Sequence, residues 1–285
     1  MLQYLSFPKL LTMACAGLMS VASLVGAEEA VRKEKWDYAP TIQAIAKNFK
    51  GEVGKVVPMG DSITYANQAS KWARHGSGRT PEQEEVARWM RAGDNDARNG
   101  WWLAANDQPD NRSWTAASSI TSEQYLQGGF RGLPSLAEIL STHKPQIALI
   151  LLGTNDVNQG VGKSAYLANM ERIFKACMDA GAVPVVTTIP PNTKANAADI
   201  VAYNDGLYAL AEKLKVPFLD LHGEFLRLQP GDAWKATLIS GDGVHPSFDG
   251  SEGPATEENL KKCGYLVKCY MQCIKVGEIK AKMKW

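Results

Sequence analysis

The chain has 285 residues, 45% of them hydrophobic, with 31 basic against 30 acidic side chains and a formal charge of +1. So even a balance gives no electrostatic case for a nucleic-acid or anionic-membrane partner, and no basic run or basic–aromatic alternation suggests one. No repeat period is visible, and the apolar content suffices for an α/β core.

The first residues read as an export signal. Lys9 is a modest positive flank, Leu10 to Val25 is apolar and small, and Val25-Gly26-Ala27 precedes Glu28 like a cleavage site. This predicts a signal peptide over 1–27 and a secreted or periplasmic protein. An uncleaved anchor is the rival, but the run is short for a span and Thr12, Ser20 and Ser23 weaken it. A lipid-modified Cys15 has a poor lead-in in Thr12-Met13-Ala14. No other stretch could span a membrane, and 28–285 reads as one domain.

Helical spacing runs from Thr41 to Phe49 and Gly51 stops it, ahead of a strand over 54–60. Pro58 removes a ladder donor from that strand, which predicts a bulge or distortion before the turn. Residues 64–114 form a long excursion holding Trp72, Trp89, Trp101, Trp102 and Trp114 with Arg74, Arg79, Arg88, Arg91 and Arg98. Within it, Thr80-Pro81-Glu82-Gln83 is a capping box and Gly93 a stop. Leaving the end of the 54–60 strand, the excursion is placed to supply aromatic faces for sugar rings and arginines for anionic groups. The plainer alternative is a satellite core beneath a long loop.

A second strand is expected near 112–118, then a helix over Leu133 to Thr142 and a strand over 146–152. A helix from Ser164 to Ala180, a strand from Val183 to Ile189, a helix from Ala197 to Leu214 and a strand from Val216 to Leu221 follow. An amphipathic helix from Glu257 to about Lys275 closes the pattern. Near-continuous apolar strands alternating with helices argue for a parallel sheet covered on both faces. Four cysteines follow the signal: Cys177, Cys263, Cys269 and Cys273. Cys269 and Cys273 are one helical turn apart, a poor disulfide geometry, and no spacing suits a metal, so buried thiols are the reading.

Three strand ends or loops carry chemistry. Gly60-Asp61-Ser62-Ile63 closes the 54–60 strand, Gly153-Thr154-Asn155-Asp156 closes the 146–152 strand, and Asp242-Gly243-Val244-His245 places a carboxylate three residues before a histidine. Together these are the parts of an acyl-transfer site. Ser62 is the candidate nucleophile, His245 the base, Asp242 its orienting carboxylate and Asn155 an oxyanion donor. Of the other histidines, His75 lies in the excursion, His143 at a helix end, and His222 beside Gly223, with no carboxylate at the same spacing in a Gly/Pro-bounded loop. Asp61 and Asp156 read as turn and capping partners.

These blocks, in this order, resemble the SGNH or GDSL-type hydrolase family of esterases and lipases over roughly residues 52 to 275. The resemblance implies an α/β fold, a flavodoxin-like three-layer α/β/α sandwich with about five parallel strands. It implies no cofactor and no metal. The family's remaining block carries a glycine whose N–H completes the oxyanion hole beside the N–H of Ser62. The matching stretch is Ala116-Ala117-Ser118-Ser119-Ile120-Thr121-Ser122-Glu123, and Ser122 is placed at the glycine position, with Gly128 and Gly129 as substitutes. The implied function is an exported serine esterase working through an acyl-enzyme. Its expected substrate is a small-molecule or polysaccharide ester, with short acyl groups on carbohydrate. Lysophospholipase or lipase activity on the same fold is the alternative, and a non-catalytic carbohydrate-binding protein is the alternative in another class.

Overall fold

The computed structural model describes residues 31–106 and 112–283. The signal-peptide reading over 1–27 and Cys15 lie outside them. Four parallel strands form the sheet: β1 (Val56–Gly60), β2 (Ile147–Leu151), β3 (Val183–Thr187) and β4 (Phe218–Leu219), hydrogen-bonded in the order β1-β2-β3-β4. β1, β2 and β3 are buried at every position, which is why they read as apolar runs without alternation.

The strand expected over 112–118 shrinks to a single parallel bridge between Gly60 and Ala116. The Gly60 N–H donates to Thr115 O and the Ala117 N–H to Gly60 O. Upstream of this rung Ser113 Oγ accepts from the N–H groups of Thr115 and Ala116, folding the chain into a turn in place of a ladder. With the bridge counted in its place, the spatial order is the flavodoxin-like 2-1-3-4-5.

Pro58 needs no bulge, since β1 and β2 stay in unbroken register from Val56↔Ile147 to Gly60↔Leu151. Gly60 turns its N–H and C=O away from β2, and strand alternation turns Pro58 the same way. Its missing donor therefore falls on the side where only the short bridge lies. The Pro58 carbonyl there accepts from Thr115 Oγ1 at 2.7 Å.

Helices Ser122–Gln127, Leu136–His143, Lys163–Asp179 and Ala197–Leu214 form one layer. The other gathers around the long Gly264–Met283 helix, which packs against Ala39–Ala46, Lys71–His75 and Pro81–Trp89. The closing helix is two helices, Glu257–Leu260 and Gly264–Met283, split by a turn at 261–263. The strand expected over Val216 to Leu221 keeps only two residues. Asp220 accepts from the Gly223 N–H and starts a helix over Leu221–Leu228 in its place. Cys177, Cys263, Cys269 and Cys273 are buried free thiols.

The 64–114 excursion contributes two of its tryptophans to the core. Trp72 and Trp101 are fully buried, and Trp89 packs against the core from a partly buried position. The Arg79 guanidinium lies over the Trp72 ring and donates to the carbonyls of Trp72 and Ala73. Arg98 pairs with Asp94 and Asp96. Trp72 meets Tyr270 of the long helix edge-on at 5.3 Å, whereas these arginine contacts stay within the excursion.

Candidate active site

Ser62 stands directly past the carboxyl end of β1, at the first position of a short Ser62–Tyr65 helix. Asp61 caps that helix by accepting from the Ile63 N–H at 2.9 Å. Gly60 is required by close approach, because a Cβ there would lie 2.2 Å from Leu151 O. The turn can therefore lie flat against β2 and project Ser62 into the crevice beyond the strand ends.

The Ser240–Ser247 loop reaches this crevice from the other side. Its Asp242 is a hub: Oδ1 accepts from the N–H groups of Val244 and His245 at 2.8 and 3.0 Å and from Ser240 Oγ at 2.9 Å. Asp242 Oδ2 lies 2.6 Å from His245 Nδ1, and His245 Nε2 lies 2.8 Å from Ser62 Oγ. Burial acts to raise the Asp242 carboxyl, but the hydrogen bonds from Val244, His245 and Ser240 outweigh it and hold the group well below the usual carboxylate range. An ionised Asp242 accepts the Nδ1 proton and leaves Nε2 free to take one from Ser62.

The other histidines are elsewhere. The His222 ring sits against Ile189 O at 3.2 Å, and burial lowers its pKa. His143 is pushed down to about 4, first by burial and then by Lys55.

Asn155 follows β2 in the Thr154–Asn158 helix. Gly60 and Leu151 share a rung, so Ser62 lies two residues past it on β1 and Asn155 four past it on β2. Gly153 makes the turn with φ +123, and a Cβ on it would strike Ile189 and the Tyr166 hydroxyl at 2.6 Å. Asn155 Nδ2 donates one hydrogen to Ile120 O at 3.0 Å, which fixes the amide and leaves its second hydrogen.

Ser122 does not fit the position expected of it. It is fully buried, its N–H donates to both oxygens of Asp156 at 3.2 and 3.0 Å, and its Oγ donates to Asp156 Oδ1 at 2.6 Å. Burial raises the Asp156 pKa against those bonds, so the pair is a structural lock between two loops. The capping box Thr121–Gln124 explains the misplacement. Thr121 is the helix N-cap and Ser122 its first residue, so the turn that faces the site must come earlier. Ser119 makes it, in the left-handed region at φ +66. Gly128 and Gly129 lie beyond the helix, at its C-terminal turn.

A groove of about 330 Å³ opens at Ser62 and His245, lined also by Tyr65, Gln68, Asn106 and Phe248. No tryptophan of the excursion lines it. Arg74, Arg79, Arg88 and Arg91 line a separate cavity of about 300 Å³. Among the described residues, no cluster of three His, Cys, Asp or Glu side chains could hold a metal ion.

Residues 59–252 match the family model of the GDSL-like lipase/acylhydrolase family. The chain belongs to this family. An arylesterase from Vibrio mimicus is 30% identical over 117 residues, 40% of this chain and 54% of the relative, so the match spans about half of that protein. A GDSL-like lipase from Bacteroides thetaiotaomicron superposes with a TM-score of 0.51 at 18% identity, covering 85% of this chain and 99% of that one. An acylhydrolase structure from Bacteroides fragilis gives the same TM-score at 19% identity, covering 87% and 99%. At these identities the structures show the shared fold. In this acylhydrolase Ser62, His245 and Asp242 come together from β1 and from the loop ahead of the closing helices. Sequence reasoning missed Tyr65 and Phe248, which line the groove and lack any motif.

Proposed function

We propose that the chain is an exported serine esterase that removes short acyl groups, acetyl above all, from carbohydrate esters through an acyl-enzyme. One observation carries the catalytic reading: the hydrogen-bonded file from Ser62 Oγ through His245 Nε2 and Nδ1 to Asp242 Oδ2. In the first step Ser62 Oγ attacks the ester carbonyl carbon while its proton passes to His245 Nε2. The carbonyl electron pair moves to oxygen, and collapse expels the alcohol, which takes the proton from His245. Water then attacks the Ser62 ester, gives a proton to the same nitrogen, and releases the acid and Ser62. The Asp242 side chain is 51% exposed. Its contribution therefore rests on fixing the imidazole tautomer more than on a low-dielectric field.

For the oxyanion, the Ser62 N–H is one of the donors that a helix start leaves without an internal partner. The second hydrogen of Asn155 Nδ2 is another. In the third place we put the N–H of Ser119 instead of Ser122. Its left-handed backbone is the conformation a glycine adopts most readily, and no hydrogen bond of that N–H occurs among the described residues.

The groove of about 330 Å³ favours a small acyl group, since a long alkyl chain needs an extended apolar channel. Phe248 supports a carbohydrate or other ring-bearing alcohol. It is 51% exposed, beside His245, and offers a flat face to stack on. The charge and hydropathy pattern of residues 1–27 supports export.

The test is hydrolysis of p-nitrophenyl esters from acetate to palmitate by residues 28–285. Acetate should be preferred, and Ser62→Ala or His245→Ala should lower kcat about 10⁴-fold. Turnover indifferent to Ser62→Ala would remove the site from the mechanism, and a palmitate optimum would move the substrate to lipids.

A further inference from the structure

Tyr265, the second residue of the Gly264–Met283 helix, lines the catalytic groove together with Ser62 and His245. It is only 3% exposed, and its ring belongs to the hydrophobic core. Its hydroxyl oxygen is not sealed in with the ring and has no hydrogen-bond partner among the described residues. We infer that this hydroxyl donates a hydrogen bond to the alcohol half of the ester. Tyr265 then selects alcohols that carry an ether or hydroxyl oxygen near the ester bond. This role rests on the esterase reading of Ser62 and deepens it.

Three observations carry it. First, a buried tyrosine ordinarily finds a partner for its O–H, and phenylalanine would fill the same core space without needing one. Packing therefore leaves the hydroxyl unexplained, and a ligand in the groove explains it. Second, the residue is fixed to the catalytic loop. The N–H groups of Gly264 and Tyr265 donate to Ser247 Oγ and Ser247 O, each at 3.0 Å, and Ser247 is two residues past His245. A Cβ on Gly264 would lie 2.1 Å from Leu238 O and 2.9 Å from Pro246 Cβ. Glycine lets the helix start flush against the chain on both sides of Asp242. Third, the hydroxyl keeps its proton. Burial, then Asp61, then Asp242 and Cys263, push its pKa well above the ordinary tyrosine value. Neither carboxylate accepts that proton. Asp242 is engaged by Ser240, Val244 and His245, and Asp61 Oδ2 has no partner among the described residues.

Position selects the half of the ester. The proposed oxyanion donors, Ser62, Ser119 and Asn155, belong to the strand ends and the turn beside them. Tyr265 comes instead with the loop that carries His245. His245 hands its proton to the departing alcohol, so the alcohol stands on this side of Ser62. An oxygen a few atoms along that alcohol can accept from Tyr265. A methylene in its place leaves the donor facing carbon. Phe248, in the same groove, offers an apolar face to the rest of the alcohol.

The experiment compares acetates in pairs that exchange one oxygen for one methylene: methoxyethyl with butyl, methoxypropyl with pentyl, and tetrahydrofurfuryl with cyclopentylmethyl. The unaltered enzyme and Tyr265→Phe are compared by kcat/KM. Binding is followed by NMR titration of Ser62→Ala and Ser62→Ala/Tyr265→Phe, on which the esters persist. Removing the hydroxyl should lower the ether-to-alkyl ratio about threefold to tenfold for at least one pair. A packing role alone would weaken both members of a pair equally and leave the ratio where it was. A ratio that moves in neither measurement, for any pair, overturns the contact. Should the unaltered enzyme hydrolyse none of the esters, the esterase reading falls. The binding ratio then decides the contact by itself: a shift upholds it, and no shift overturns it.

Discussion

The 64–114 excursion and the Ser240–Ser247 loop make opposite use of their residues. The excursion has the residues that look functional, five tryptophans and six arginines, and places Trp72 and Trp101 out of solvent. The loop has seven small or polar residues and one histidine, the proposed base, with His245 and Asp242 at 36% and 51% exposure. Where the chain must bury aromatic surface, the gain is packing energy. For the proposed proton transfer, the groups stay at the surface and are held by a dense local set of hydrogen bonds onto Asp242. Composition therefore leaves the excursion open between packing and binding, and the Asp-x-x-His spacing singles out the loop.

The sharpest way to break this comparison is to remove the packing and leave the loop. Trp101→Ala is expected to cost about 3–5 kcal/mol, the usual range for emptying a buried large aromatic site. Among the described residues the Trp101 Nε1 has no hydrogen-bond partner, so Trp101→Phe, which keeps most of the volume and removes that donor, should cost far less. Chemical denaturation of the two variants measures this. If Trp101→Ala keeps its stability and instead loses KM for a carbohydrate ester, the excursion is a binding platform after all.

A smaller effect is expected beneath the nucleophile. Asp61 is fully buried, and burial pushes its carboxyl up to about 6, against the Ile63 N–H bond and the pull of His245. The unfolded chain ionises this group near 4, whereas the folded one resists until about 6, so stability should fall as pH rises between those values. Two pK units correspond to about 3 kcal/mol. Asp61→Asn keeps the cap acceptor and removes the charge, and it should raise stability above pH 6 by up to that amount. It should also flatten, though not abolish, the slope, since Asp156 is displaced in the same direction. Denaturation midpoints between pH 4 and 8 decide it, and a variant less stable than the parent at pH 7 would show that Asp61 is held ionised.

Much of this arrangement was legible in the sequence. Buried parallel strands announce themselves as apolar runs, and the Gly-Asp-Ser, Gly-Thr-Asn and Asp-x-x-His blocks end up where strand ends and a loop must converge. Other features depend on partners that no local pattern reveals. The strand near 112–118 dissolved because Ser113 takes up its N–H groups, and the expected 216–221 strand gave way to a helix capped by Asp220. The register of Pro58 is a property of its neighbour. The excursion left two readings open because tryptophan is equally at home in a core and on a sugar, and only burial separates the two.

Ser122 was the error with a local remedy, and the proposed donor Ser119 supplies the smallest and most discriminating test. The Thr121–Gln124 capping box fixes the start of its helix, which makes Ser122 a helical residue bonded to Asp156 and moves the turn upstream to Ser119. A serine at φ +66 is strained relative to glycine, while glycine is the more costly residue to order on folding. The two effects nearly offset, so Ser119→Gly should gain no more than about 1 kcal/mol of stability. Because the proposed donor is the backbone N–H, kcat on an acetyl ester should stay within about twofold, against the roughly hundredfold loss expected when the Asn155 amide is deleted. A tenfold fall in a stable Ser119→Gly protein would assign the catalytic contribution to the serine hydroxyl. A loss of stability would mean that this turn does not need the left-handed conformation at all.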